Sequence, residues 1–280
     1  MKKITFLIVL FAFILLYINV FAATNQPFEV KVTGKGKHTI LFIPGFASSG
    51  DVWDETIETF SPDFKCYKLT MPGFAGTKAQ ENPSLKQWVE DISAFIKTEK
   101  INLPIVMGHS MGAVMAMMLA AKHPEQVSKI VIVDGLPCLP AVFNPAFKSN
   151  DSPDCNQSIN QFTGMSDEAF KKAQNAGIKR LMIDISKFET VVNWTLQSDH
   201  RTVGKLFCDM SNIDLRAEIA GIQCPSLVLL EAPFKQFEGA MTAQFAQLKG
   251  AHLLYANKGL HFIMFDDKEW YLKQLSAFIK

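Results

Sequence analysis

Ile105-Val106-Met107-Gly108-His109-Ser110-Met111-Gly112 is the stretch whose reading decides the architecture. Three apolar residues after Pro104 predict a short buried strand. The run from Met111 to His123, rich in Met, Ala and Leu and free of breakers after Gly112, predicts a buried helix. Ser110 stands between them on a turn so sharp that a side chain two residues before or after it would clash. That is the physical content of the spacing G-x-S-x-G, met here by Gly108 and Gly112. The turn lifts the serine hydroxyl out at the carboxyl end of a sheet, and the helix N-terminus beneath it favours developing negative charge.

Outward from this turn the chain alternates strands and helices. Phe28 to Val32 alternates like a half-exposed strand, and Thr39 to Ile43 reads as a buried one that ends in Pro44-Gly45-Phe46-Ala47-Ser48-Ser49-Gly50. A helix follows, with Asp51 near its start. Phe64 to Leu69 is the next strand, and Trp88 to Lys97 carries apolar residues at Trp88, Val89, Ile92, Phe95 and Ile96, one face of a helix. Ile130 to Val133 is a strand running into Asp134-Gly135. This rhythm predicts a parallel sheet covered on both sides. It stops between Leu136 and Ile222, where no buried strand is evident. Short amphipathic helices are expected there at 166–176, 187–197 and 201–210. Strand signal resumes at Pro225 to Leu230. A helix at 241–248, a strand at 253–256 and a last helix from Lys268 to Ile279 complete the chain. An all-helical insert between two strands of such a sheet reads as a lid over the end that carries the serine.

The amino terminus is of another kind. Met1-Lys2-Lys3 precedes an uncharged apolar run from Ile4 to Ile18 and the small residues Ala22 and Ala23, the pattern of an export signal cleaved after Ala22. The run is short for a membrane span, so membrane association is expected only if this segment is retained. The protein is therefore expected in the periplasm or outside the cell. With 28 basic and 27 acidic residues the charges nearly cancel, which removes any electrostatic case for nucleic acid. Hydrophobic residues make up 48% of the chain, enough for one sizeable core. The five cysteines, at 66, 138, 155, 208 and 224, are too scattered for a disulfide scaffold or a zinc site. Cys138 and Cys155 could pair in an exported chain, and buried free thiols are the equal alternative. The histidines lack metal-ligand spacing, and Gly34-Lys35-Gly36 does not continue into a dinucleotide fingerprint. No cofactor and no metal is expected.

Together these features resemble the α/β-hydrolase superfamily, in the form that carries an inserted helical cap. The likeness covers essentially the whole chain after the leader. Beyond the signal peptide read at 1–22, it implies a hydrolase core at 23–135 and 223–280 and a cap at 136–222. Three motifs carry it: the elbow around Ser110, the loop Pro44-Gly45-Phe46 where relatives have His-Gly-x, and Gly259-Leu260-His261-Phe262 after the last strand. The resemblance implies Ser110 as nucleophile, His261 as its base, and the backbone N–H groups of Phe46 and Met111 as an oxyanion hole. His109, inside the elbow, reads as a packing residue.

The acid is less evident. Most of the superfamily places an aspartate shortly after the penultimate strand, but Leu229-Leu230-Glu231-Ala232-Pro233-Phe234 has none. Some members use the end of the strand that follows the elbow helix, here Asp134. Asp134 is the first choice and Glu231 the second, with Glu238 or no acid remaining. Asp266 and Asp267 follow the histidine and break the usual order. The expected activity is a carboxylesterase-like hydrolysis of uncharged small or medium acyl esters. The insert's aromatic residues, Phe143, Phe147, Phe162, Phe170, Phe188, Trp194 and Phe207, are expected to be shared between the cap's own core and an acyl pocket. A non-catalytic binding protein of the same fold, or an acyltransferase or perhydrolase using the same serine, are the alternatives.

Overall fold

Apolar runs with β-branched residues make the centre of a seven-stranded sheet in a computed structural model that describes residues 26–280. The strands are β1 (Glu29–Thr33), β2 (His38–Ile43), β3 (Phe64–Thr70), β4 (Ile105–His109), β5 (Lys129–Val133), β6 (Ser226–Leu230) and β7 (Ala251–Tyr255), in the order β1-β3-β2-β4-β5-β6-β7. β1 runs antiparallel to β3, and every other pairing is parallel. The leader expected at 1–22 lies outside the described residues. Among those described, no helix is long and apolar enough to cross a membrane.

The central strands read as unbroken apolar runs because both of their faces are buried. Leu41, Ile43, Val106, Ile130, Ile132, Val228 and Leu230 point to one layer, shared with α2 (Leu85–Thr98) and α3 (Met111–Lys122). Ile40, Phe42, Ile105, Met107, Val131, Val133, Leu227 and Leu229 point to the other. That second layer is closed by α1 (Asp54–Phe60), entered through a turn of 3-10 helix at Gly50–Trp53, and by the carboxyl-terminal helix (Lys268–Ile279). α3 is buried almost all round, which is why its sequence carries no polar stripe. Met115 and Met117 are part of that packing.

Between β5 and β6 lie α4 (Asn156–Thr163), α5 (Asp167–Ile178), α6 (Phe188–Leu196) and α7 (His200–Ser211), and no strand. This is the helical cap. α4 was not expected from the sequence: its residues, Asn-Gln-Ser-Ile-Asn-Gln-Phe-Thr, are mostly poor helix formers. It is held from outside, against α7, where the Ser158 hydroxyl donates to the Gly204 carbonyl at 2.8 Å. The same contact corrects the cysteine pairing. Cys155, at the start of α4, is bonded to Cys208 on α7, not to Cys138. Cys138 is a buried free thiol whose backbone exchanges two hydrogen bonds with the Gln244 side chain on α8 (Glu238–Gln244). That tie holds it to the hydrolase core and away from Cys155. Beyond β6 the chain finishes with α8, β7, a single turn α9 (Ile263–Asp266) and α10 (Lys268–Ile279). α8 ends at Gln244, short of the expected 248.

The cap meets the core along several backbone contacts. Asp199 N–H donates to Gly73 O at 2.7 Å and Gly76 N–H to Gln197 O at 3.0 Å. Glu55 on α1 accepts from Lys187 at the start of α6 and from Lys268 on α10, at 2.5 and 2.7 Å, which holds its carboxyl below the usual range. Replacing both Cys155 and Cys208 by alanine releases a cross-link that spans 53 residues of chain. The double variant is expected to lose about 2–4 kcal/mol in urea unfolding relative to the oxidised protein.

Candidate active site

The turn after β4 holds Ser110 at φ 54°, ψ −118°, a left-handed conformation that costs energy for any residue with a side chain. It is over-determined by its neighbours. Ser110 N–H donates to Val133 O of β5 at 2.9 Å, and its carbonyl accepts from Ala113 and Val114 N–H at 3.0 and 3.2 Å. A β-carbon at Gly112 would lie 2.2 Å from Ile43 O, so the elbow closes only around glycine. The loop after β2 approaches from the same side. A β-carbon at Gly45 would stand 3.2 Å from Ser110 Cβ and 2.9 Å from His109 Nδ1, leaving no room for one. The N–H groups of Phe46, in this loop, and of Met111, at the first position of α3, carry no hydrogen bond among the described residues. The Phe46 ring packs edge-on against Phe74 and Phe207.

β5 ends beside the elbow, and its next residue is Asp134, also left-handed at φ 48°. Asp134 N–H donates to Leu229 O at 2.8 Å. Its side chain, 2% exposed, is fully engaged. Oδ2 accepts from His261 Nδ1–H at 2.6 Å, and Oδ1 accepts from the Glu231 backbone N–H at 2.7 Å. Glu231 follows β6 directly, and its carboxyl group makes no hydrogen bond to His261. Glu238 lies on the surface, paired with Lys235. Of the acids the sequence offers, Asp134 is the one brought to His261.

His261 is anchored through the residues on either side of it. Leu260 N–H donates to Asp266 Oδ2 at 2.9 Å, and Phe262 N–H to Leu181 O of the cap at 3.2 Å. The other oxygen of Asp266 accepts from Ile183 and Asp184 N–H, both at 2.9 Å and both in the cap. Asp267 Oδ2 accepts from Asn257 and Lys258 N–H and fixes the base of the loop. The chain order that set these two aspartates aside as triad acids hid this second use. An acidic pair opening the helical segment after the histidine was the available signal. His109 donates from Nε2–H to the carbonyl of His261 at 2.9 Å, with the two rings 4.7 Å apart. Burial, with the neighbouring His261, keeps the His109 pKa well below the ordinary histidine value, so the ring is a neutral support.

Burial alone would lower the His261 pKa as well. The bond to Asp134, the charge of that carboxylate and the nearby Glu231 outweigh it, and the pKa is raised. Burial, then repulsion from Asp134, pushes Glu231 up to about 7, against a partial pull from His261.

Ser110, Asp134, His261 and Glu231 open onto one cavity of about 280 Å³, walled by Val114, Leu136, Leu139, Leu181, Met210 and Phe234. The insert at 136–222 supplies Leu136, Leu139, Leu181 and Met210. None of the seven aromatic residues expected there reaches this wall. Phe170 is buried in the core, Phe143 is 88% exposed, and Phe207 packs against Phe46 and Phe162 instead. Aliphatic side chains, with Phe234 from the core, do the lining. Among the described residues, no group of three or more His, Cys, Asp or Glu side chains is arranged to hold a metal ion.

Comparison with known proteins agrees with this architecture. The family model of the alpha/beta hydrolase fold matches residues 38–170. The chain is similar to the pimeloyl-[acyl-carrier protein] methyl ester esterase of Vibrio atlanticus, with 26% identity over 71% of this chain and 76% of that one. It is also similar to the N-formylmaleamate deformylase of Pseudomonas putida, with 23% identity over 93% and 95%. Among solved structures, an esterase from Exiguobacterium antarcticum superposes with a TM-score of 0.74 at 15% identity, covering 90% of this chain and 95% of that one. The sheet, the inserted cap and the matched residues together give the chain the α/β-hydrolase fold.

Two expectations come from this geometry. NMR titration of the His261 ring should give a pKa above the ordinary 6.5. Glu231→Gln removes a negative neighbour and should lower that value, whereas Asp134→Asn should lower it further by removing both the bond and the charge. Asp266→Ala frees Leu260 N–H and two cap amides at once, and should broaden the His261 resonance while leaving the sheet's amide protection intact.

Proposed function

We propose that this chain is a serine-dependent carboxylesterase that cleaves acyl esters through an acyl-enzyme on Ser110. The observation that carries the proposal is the Asp134–His261 hydrogen bond at a cavity shared with Ser110. A serine hydroxyl is a poor nucleophile until a base takes its proton. With Nδ1–H committed to Asp134, the neutral His261 ring keeps its lone pair at Nε2, the atom that would accept the Ser110 proton. In the resting arrangement Ser110 Oγ and His261 are not hydrogen-bonded to each other, and this reading requires the bound ester to draw them together, as is common for unliganded sites.

Oγ then attacks the ester carbonyl, and the oxygen that becomes negative is received by the free N–H groups of Phe46 and Met111. His261 returns the proton to the departing alkoxide as the carbonyl re-forms, giving the alcohol and the acyl-serine. Water repeats the sequence, losing its proton to His261, and releases the carboxylic acid and the free serine. The cavity's volume and apolar walls support uncharged esters of small to medium size. The names of the relatives, an esterase and a deformylase among them, support hydrolysis of an acyl bond.

We also infer that the protein is exported. The leader pattern at 1–22 supports it, as does the Cys155–Cys208 bond, since such cross-links persist in oxidising compartments. The secreted form should begin at Ala23, read by amino-terminal sequencing; an intact Met1 would indicate a retained anchor.

A fluorophosphonate probe should label the mature protein at Ser110 and fail on Ser110→Ala. Absence of labelling would remove the esterase reading and favour a binding protein of the same fold. Asp134→Asn should lower kcat by about three to four orders of magnitude, because the imidazole loses the tautomer the step needs. Since His261 must be neutral to act and its pKa is raised, kcat/KM should fall on the acid side of an inflection above 6.5. Glu231→Gln should shift that inflection to lower pH.

A further inference from the structure

The cavity holds one polar side chain that the proposed chemistry does not use. Glu231 lines it beside Asp134 and His261, opposite apolar walls. Both oxygens of Asp134 are taken, one by the His261 ring and one by the Glu231 backbone. The Glu231 carboxyl group is different. Among the described residues it has neither a hydrogen-bond partner nor an ion-pair partner, and no lysine or arginine lines the cavity. The lysine nearest in sequence, Lys235, is paired with Glu238 and stacked on Tyr255.

The backbone that carries this unpartnered carboxyl is held in place. Its own N–H is fixed on Asp134, and the next residue, Ala232, donates from N–H to Gly259 O at 3.1 Å. Burial and the charge of Asp134 raise its pKa to about 7, so keeping a carboxyl here is unfavourable unless something relieves it. Among the described residues only the partial pull of His261 offsets this, and none donates a hydrogen bond to the carboxyl. An acceptor on an otherwise apolar wall, without a protein donor, is what a site built to read a polar group on its ligand contains.

We propose that Glu231 is the specificity-determining residue of this cavity, accepting a hydrogen bond from a hydroxyl or ammonium group on the substrate and turning away substrates that present a carboxylate there. The inference takes its ester from the esterase reading above, but the recognition group from Glu231 alone. It differs from a role as triad acid, because that position is occupied by Asp134.

The test uses p-nitrophenyl hexanoates that carry a methyl, hydroxymethyl, aminomethyl or carboxylate terminus of similar reach, at pH 8. A matching set of acetate esters with the same termini on the alcohol side probes the other half of the substrate. In at least one set the native protein should prefer the hydroxyl and amino termini over the methyl, and disfavour the carboxylate. Glu231→Leu should reduce the hydroxyl-to-methyl ratio of kcat/KM by about tenfold or more and raise the carboxylate-to-methyl ratio. Glu231→Gln, whose amide oxygen still accepts, should keep part of the hydroxyl preference and lose that for the amine. Ratios that stay within about twofold of the native ones in both sets would overturn the proposal.

Binding to Ser110→Ala protein, measured by calorimetry, separates the two readings. Methyl 6-hydroxyhexanoate should bind more tightly than methyl hexanoate, and the difference should vanish in Ser110→Ala/Glu231→Leu. A native protein that turns over no ester but keeps this difference would lose the esterase reading and retain Glu231 as a recognition residue. Equal binding of the two esters would remove Glu231 from that role.

Discussion

The site depends on the register of three parallel strands. β4 pairs His109 with Val133 of β5, and β5 pairs Val133 with Leu229 of β6. The next residues are therefore Ser110, Asp134 and, one step on, Glu231, all leaving the sheet at the same edge. A slip of one residue would turn every buried side chain to the opposite layer, so the two-sided apolar core fixes this register far more firmly than the site itself could. The same ladder supports the strain at its end. Ser110 and Asp134 both stand at positive φ, and each is pinned by a backbone N–H that donates to the neighbouring strand, at 2.9 and 2.8 Å. The favourable pairing of the strands stabilises the unfavourable backbone of the two residues.

His261 arrives from outside this ladder, on a loop after β7, and its placement rests on hydrogen bonds to side chains. Asp266 joins that loop to the cap through three amides, while Leu181 both accepts from Phe262 N–H and lines the cavity. The short segment at 181–184 thus both contributes to the wall that faces a ligand and anchors the loop of the residue proposed to take the Ser110 proton. Any ligand that displaces the segment at 181–184 bears directly on the orientation of the imidazole.

The core was legible in the sequence because period and composition carry it: continuous apolar runs for strands buried on both faces, and a helix after the elbow without a polar stripe. Ser110, Asp134 and His261, singled out from motif and chain order, stand around one cavity. The remainder depends on contacts between distant positions. α4 has little helix propensity of its own and exists by leaning on α7. Cys155 finds Cys208 because those helices pack, a pairing that spacing along the chain does not encode. The aromatic residues of the insert suggested an aromatic pocket, yet they are consumed by the cap's core, by Phe46 or by the surface. Leu136, Leu139, Leu181 and Met210, unremarkable in sequence, form the insert's share of the wall.

The cross-link between α4 and α7 has both of its ends inside the insert. It therefore stiffens the roof and leaves the seam between roof and sheet untouched. That seam is non-covalent throughout: hydrogen bonds, a few ion pairs, and apolar packing in which Phe170, Val191, Val192, Val203 and Leu206 of the roof join the same buried clusters as the sheet. An oxidising medium, in this architecture, stiffens the roof without adding a covalent tie to the floor.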